Sequence, residues 1–264
     1  MNNQQKKRSG FGPVAALTRL QRLVLPLLLL TASSAFAQEK SADQWQYDFQ
    51  VYLWGATIKN TTVTGDSTVL NFGTIISNLD CVVMTTLGAR KDRFSMLADV
   101  IYMDLSDSQT KKGEFLGYPV TGKVNIDLNA WVLNLIGGYN LVDNGKNVFD
   151  IAAGARYLDL DFESTSKVNG LTRKSGVSNQ LWDGVVGFKG RHYYPDGYYF
   201  NYYADVGSGD SRLTWQALAN FAYDYKKFTG IVGYRYLKWD FGHGSDVLDD
   251  MVIHGPYVSA KWSF

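Results

Sequence analysis

Gly255-Pro-Tyr-Val-Ser-Ala-Lys-Trp-Ser-Phe264 alternates without a break. Pro256, Val258, Ala260, Trp262 and Phe264 fall on one face, and Gly255, Tyr257, Ser259, Lys261 and Ser263 on the other. Successive side chains of a strand point to opposite faces, so the stretch reads as a strand with one apolar and one small or polar side. Trp262 and Phe264 stand where a membrane-spanning barrel carries its interfacial aromatic girdle. Whether the sheet closes depends on how often the pattern recurs.

It recurs along most of the chain. Tyr47, Phe49, Val51 and Leu53 oppose Gln46, Asp48, Gln50 and Tyr52 in a first strand reaching about Lys59. Further strands are predicted over Asp80 to Arg90, Phe94 to about Asp104, Lys123 to Leu141, Val148 to Phe162 and Gln180 to His192. Tyr198 to Val206, Leu213 to Tyr225 and Phe228 to Trp239 follow, and the closing strand makes ten, with eight as the alternative. Lys91-Asp92-Arg93, Asp143-Asn144-Gly145, Pro195-Asp196-Gly197 and Lys226-Lys227 are short enough for tight turns. Between them lie long polar stretches, Ser106 to Thr121 and Ser164 to Asn179 among them, which read as loops, and Phe72 to Leu79 reads as a helical turn. Short turns on one rim and long loops on the other are the connection pattern of outer-membrane barrels.

The fold class expected is therefore all-β: a closed antiparallel transmembrane β-barrel. An abundance of Gly (26), Tyr (17), Phe (14) and Trp (7) beside five Pro suits many short strands. Gly154, Gly187 and Gly233 share a face with Asp150, Arg156, Asp183, Lys189, Arg191, Asp205 and Arg235. Small residues among opposite charges suit a narrow lumen, which sends the aromatic face to lipid. Only a closed sheet can pair the backbone groups of strands in a bilayer.

The N-terminus gives the compartment. Lys6, Lys7, Arg8, Arg19 and Arg22 precede an apolar run from Leu23 to about Thr31, and Ala35-Phe36-Ala37 supplies a small-x-small end. This is the pattern of a secretory signal peptide over residues 1–37, followed by a single barrel domain over 38–264. The segment carries five of the 26 Lys and Arg and none of the 25 Asp and Glu, so the mature chain holds 21 against 25, a net charge of −4. That balance gives no electrostatic case for nucleic acid. Cys81 is the one cysteine, so an intrachain disulfide is excluded, and it reads as a small apolar strand residue.

Several short runs carry a resemblance: Trp54-Gly55-Ala56, Asn78-Leu79-Asp80, Gly88-Ala89-Arg90-Lys91 and Asp104-Leu105-Ser106-Asp107, then Gly154-Ala155-Arg156-Tyr157, Thr214-Trp215-Gln216-Ala217-Leu218 and Gly233-Tyr234-Arg235-Tyr236-Leu237. Together they resemble a family of small bacterial outer-membrane barrels, distantly like the opacity-type porin-like proteins. The resemblance implies an integral outer-membrane barrel, surrounded by outer-membrane lipid and monomeric, and no catalytic motif. In such barrels a final strand like Val258, Ala260, Trp262 and Phe264, ending on Phe, is read by the barrel-assembly machinery.

No cofactor or metal motif appears. His192, His243 and His254 are too dispersed for a metal site and lack a His or Cys at ligand spacing. His243-Gly244-Ser245 has the His-x-Ser spacing of membrane-barrel lipid A deacylases, and Asp249-Asp250 with His254 hints at an outer-membrane protease; the first falls in a Gly-rich loop and the second at a charged loop end. A periplasmic lipocalin-like carrier with an apolar interior is a third alternative. The better-supported feature is the lumen charge set of Asp99, Asp150, Arg156, Asp183, Lys189, Arg191, Asp205 and Arg235. Unpaired charges in a narrow barrel are costly, so the four cations are expected to pair with the four acids. The functional expectation is a structural, surface-interaction or narrow small-solute pore role, with a closed or barely conducting lumen favoured over a wide channel.

Overall fold

The structure is a computed structural model and describes residues 44–62, 67–70, 73, 79–115, 118–168, 171–242 and 248–264. The signal segment, most of the helical turn expected over 72–79, and His243-Gly244-Ser245 lie outside those residues.

Alternation dictates strands, and the strands are β1 (Gln46–Trp54), β2 (Thr57–Thr62), β3 (Ser67–Leu70), β4 (Leu79–Lys91), β5 (Phe94–Phe115) and β6 (Tyr118–Asp143), then β7 (Asn147–Val168), β8 (Leu171–Tyr193), β9 (Tyr198–Gly209), β10 (Leu213–Asp224), β11 (Thr229–Asp240) and β12 (Leu248–Ser263). Strands β1 and β4 to β12 are hydrogen-bonded in order, and β12 pairs back onto β1, which closes a ten-stranded antiparallel circuit. The closing ladder runs from Asp48↔Ser263 to Trp54↔Tyr257, and Tyr47 and Phe264 exchange backbone hydrogen bonds at 3.1 and 2.8 Å. The first strand breaks at Gly55-Ala56; β2 then follows β12 and folds back on β3, while the β1–β4 ladder stops at Val51↔Thr85.

The four tight turns all sit on one rim. Asp92 (φ 51°) and Asp196 (φ 63°) take left-handed backbone, and Gly145 (φ 75°) does so in the Asn-Gly turn, where the Asn144 side chain accepts the N–H of Asn147 at 2.7 Å. Outer-membrane barrels carry their short turns on the periplasmic side.

The two long polar stretches expected as loops are strands. Ser106↔Asp127 to Phe115↔Tyr118 extends the β5–β6 ladder, and Asp161↔Ser178 to Val168↔Leu171 extends β7–β8. These segments have few apolar residues and so print no clear alternation, although nothing in their composition prevents pairing. A membrane-spanning strand needs about 9–11 residues. Strands of 22 to 26 residues (β5 to β8) therefore pass well beyond the bilayer and build a four-stranded sheet that projects from the rim opposite the turns.

Outward-facing Leu87, Ile151, Val186, Phe221, Val232 and Val258 are exposed, an apolar belt that water would not tolerate and lipid requires. Aromatic pairs border it on both sides. Phe94–Tyr139 (5.2 Å) and Tyr198–Tyr223 (4.5 Å) lie near the turn rim, and Tyr102–Trp131 (4.5 Å), Tyr157–Trp182 (4.7 Å) and Trp215–Tyr236 (4.6 Å) lie near the other. Val186, 61% exposed, lies between the two girdles. Val186→Arg is expected to lower folding stability in lipid vesicles by roughly 2–4 kcal/mol, read by urea unfolding, because a cation there faces hydrocarbon.

Candidate functional site

The inward positions of the ten strands form the lumen, and they are layered. At mid-height, two buried ion pairs are joined by one amide. Asp99 accepts hydrogen bonds from Tyr52 Oη (2.7 Å), Thr86 Oγ1 (3.2 Å), Asn134 Nδ2 (3.1 Å) and Arg235 (2.7 Å). Arg235 also donates to Gln216 Oε1 at 2.8 Å and lies over the Trp54 ring at 5.0 Å. The oxygen of the same Asn134 carboxamide, Oδ1, accepts from Arg156 Nε at 2.7 Å, and Arg156 reaches Thr214 Oγ1 (2.8 Å) and Asp205 Oδ2 (2.6 Å). Tyr203 Oη donates to the same Asp205 oxygen at 2.5 Å. Arg156 is 0% exposed, so all of its contacts are made inside the barrel.

Nearer the turn rim the polar groups are partly solvated. Asp150 binds Arg90 at 2.7 Å, Asn140 at 2.7 Å and Lys189 at 3.6 Å, and Lys189 also donates to Ser95 Oγ at 2.9 Å. Gly138 keeps that route open, since a Cβ there would stand 2.5 Å from Ser95 Oγ and 3.0 Å from Lys189 Cε. Arg191 donates to Asn201 at 2.7 Å and to Tyr193 Oη at 3.0 Å, and lies 4.3 Å over the Tyr199 ring. Lys261 turns inward to Asp48 at 3.8 Å.

Toward the outer rim the lumen becomes apolar. Trp54, Ile101, Met103, Leu105, Leu158, Leu181, Leu237, Trp239 and Phe241 belong to one buried cluster, with Leu237 and Trp239 at 0% exposure. A lumen polar throughout was the expectation, and the outer part departs from it. The sequence carries the reason: at Ile101-Tyr-Met-Asp-Leu105, Leu158-Asp-Leu160 and Leu237-Lys-Trp239 the inward position is the large apolar one, and the outward position is polar or aromatic.

Of the eight residues expected to pair as charges, Asp99 with Arg235, Arg156 with Asp205 and Lys189 with Asp150 are brought together. Two are placed differently. Asp183 is buried in the outer part, where its carboxylate accepts the backbone N–H of Ser211 at 3.0 Å and, among the described residues, no cation is bonded to it. Arg191 finds an amide and two tyrosines instead of an acid, because a guanidinium stacks on aromatic faces and uses neutral acceptors where they are nearer. Tyr52, Arg90, Asn134 and Thr214 are part of the network without having been singled out. Their inward phase beside Asp48, Gly88 and Arg156 was the available signal.

The candidate catalytic groups are engaged otherwise. His254 faces outward and shares a hydrogen bond with Tyr234 Oη at 2.7 Å, Asp250 is ion-paired with Lys238 at 3.0 Å, and His192 contacts Asn147 at 2.6 Å. Among the described residues no three His, Cys, Asp or Glu could hold a metal ion.

A closed sheet, an apolar belt between two aromatic girdles and a polar layer inside settle the class. The fold is an outer-membrane β-barrel. No protein-family model matches the sequence, and no curated protein does. Among solved structures the chain is similar to the translocator domain of autotransporter NalP from Neisseria meningitidis, at 12% identity and a TM-score of 0.47 over 95% of this chain and 97% of that one. It is also similar to the outer membrane protease OmpT from Escherichia coli (11% identity, TM-score 0.43, 86% and 99% covered) and to Neisserial surface protein A (10%, 0.34, 86% and 100%).

Because Arg156 and Asp205 are both fully buried, removing one partner strands the other charge. Asp205→Leu is expected to cost roughly 3–5 kcal/mol in urea unfolding. The double variant Arg156→Met with Asp205→Leu should recover much of that loss, since an apolar pair leaves no uncompensated charge.

Proposed function

We propose that the protein is a closed outer-membrane barrel whose work is done at its outer surface, where it holds the β5–β8 sheet away from the membrane for contact with a partner. The observation that carries this reading is the filled cross-section. Arg156 reaches from β7 to Asp205 on β9 and Thr214 on β10, Arg235 reaches from β11 to Asp99 on β5, and an apolar layer containing Trp54, Leu105, Leu237 and Trp239 lies above them. A hydrated solute meets buried ion pairs it would have to break and then a layer it cannot hydrogen-bond to. In this reading residues 1–37 direct export and are removed, and the barrel is a monomer because its sheet pairs its own ends. The kinship with opacity-type barrels belongs to the same proposal, and no catalytic step is part of it.

In planar bilayers the refolded protein is expected to give no stable conductance steps, and a steady open channel would overturn the closed-lumen reading. Orientation has its own check. An epitope placed between Phe115 and Tyr118 should be bound by antibody on intact cells, and labelling only after permeabilisation would put the sheet on the wrong side.

A further inference from the structure

The outward face of β5 to β8 carries polar groups, set beside its girdle rings, that neither membrane anchoring nor lumen packing uses. Tyr102, Trp131, Asp159 and Gln180 are successive Cα partners across the four strands, and Asp104, Asn129, Asp161 and Ser178 form the next outward row. Tyr157 and Trp182 pair one step nearer the bilayer. The two ring pairs stand at 4.5 and 4.7 Å; Trp182 is 51% exposed, Trp131 and Tyr157 are half-buried, and Tyr102 is buried against Trp131.

Each ring pair has an acid and a carboxamide attached to it, wired differently. Tyr102 Oη donates to Asp104 (3.3 Å) and accepts from Asn129 Nδ2 (3.1 Å), while Tyr157 Oη and Gln180 Nε2 both donate to Asp159 Oδ2 (3.2 and 3.4 Å). Asp159 Oδ1 is buried and makes no hydrogen bond. An interfacial girdle explains the rings, which sit with one end in lipid and one in water. It does not explain an acid and a carboxamide held beside each pair. The third ring pair, Trp215–Tyr236, shows the contrast, since above it stands the ion pair of Lys238 with Asp250 at 3.0 Å.

We propose that this face binds a phosphate-free saccharide chain, neutral or amine-bearing, reaching it from outside the cell. Flat rings offer the apolar C–H face of a pyranose a stacking surface, and carboxylate and carboxamide groups beside them match its hydroxyls. Asp104, Asp159 and Asp161 face outward with no Lys or Arg in either row, which disfavours phosphorylated ligands. The site rests on the surface-interaction part of the proposed function and would survive a conducting lumen; failure to bind saccharide would leave the conductance and epitope results unchanged.

The test is calorimetry on the refolded protein in an amine-oxide detergent, since sugar-headed detergents would compete. The probes are maltoheptaose, chitohexaose and a chitosan hexamer. At least one is expected to bind saturably, with Trp182→Ala and Asp159→Asn each weakening it about tenfold or more. Trp215→Ala should bind as the unaltered protein does. Heat-modifiable gel migration checks that each variant is folded, and Gln180→Ala, an exposed position, replaces any that is not. Three outcomes overturn the proposal: no saturable binding of any probe, equal binding by the folded variants, or tighter binding of lipid A vesicles that chelation of divalent ions abolishes.

Discussion

The backbone pairing of β1 with β12 is the constraint on which the rest of the structure depends. A strand edge left open in hydrocarbon would present N–H and C=O groups that nothing can satisfy, at several kcal/mol each. Closure removes both edges at once, and it does so between segments almost the full length of the barrel apart in sequence, Asp48 to Trp54 and Tyr257 to Ser263. Tight turns bring four of the other neighbouring pairs together locally, and single connections bring most of the rest. Only this last ladder has to wait for every other strand, so the alternation of the final ten residues matters more than that of any internal strand.

Closing ten strands leaves an interior narrow enough for side chains to fill and too wide to be filled by backbone. Two kinds of filling divide it. Where inward positions are Asp, Asn, Thr, Gln and Arg, desolvated charges are offset by a network in which Asn134 serves Asp99 and Arg156 together. Where they are Leu, Ile, Met and Trp, ordinary burial does the same work without charge. The guanidinium groups of Arg156 and Arg235 lie at the boundary, 5.9 Å over Trp239 and 5.0 Å over Trp54, so each charged side chain is roofed by a ring of the apolar layer. Glycine is what lets strands approach closely beside these groups: a Cβ on Gly154 would stand 1.9 Å from Leu135 O.

The legible and illegible parts of the sequence follow the same physics. Tyr198 to Val206 could be read because its outward residues face lipid and its inward residues, Asn201, Tyr203 and Asp205, face a polar layer; two different solvents print two different compositions. Around Ile101 to Leu105 the inside is as apolar as a membrane, so alternation survives in the backbone and fades in the hydropathy. In the β5–β8 extension both faces are largely polar, and the signal fades again. The closed barrel and most charged lumen positions were therefore visible. The partners of Arg191 and Asp183 were not, because they depend on which neutral acceptors or backbone groups the curvature brings near.

In the proposed reading the filled barrel serves as a rigid peg. Conformational change inside it would have to break fully buried ion pairs or open the layer around Trp239, and neither is compatible with the small free-energy differences that run a gate. What remains adaptable is outside the bilayer, where β5 to β8 continue as a sheet after the ladders to β4 and β9 have ended at Leu105 and Asp183. That sheet is anchored at its base by the Tyr–Trp pairs and by strands continuous with the barrel wall. Under the proposed function its outward face is what the barrel presents, and presenting a surface in that way needs nothing from the lumen except that it stay closed.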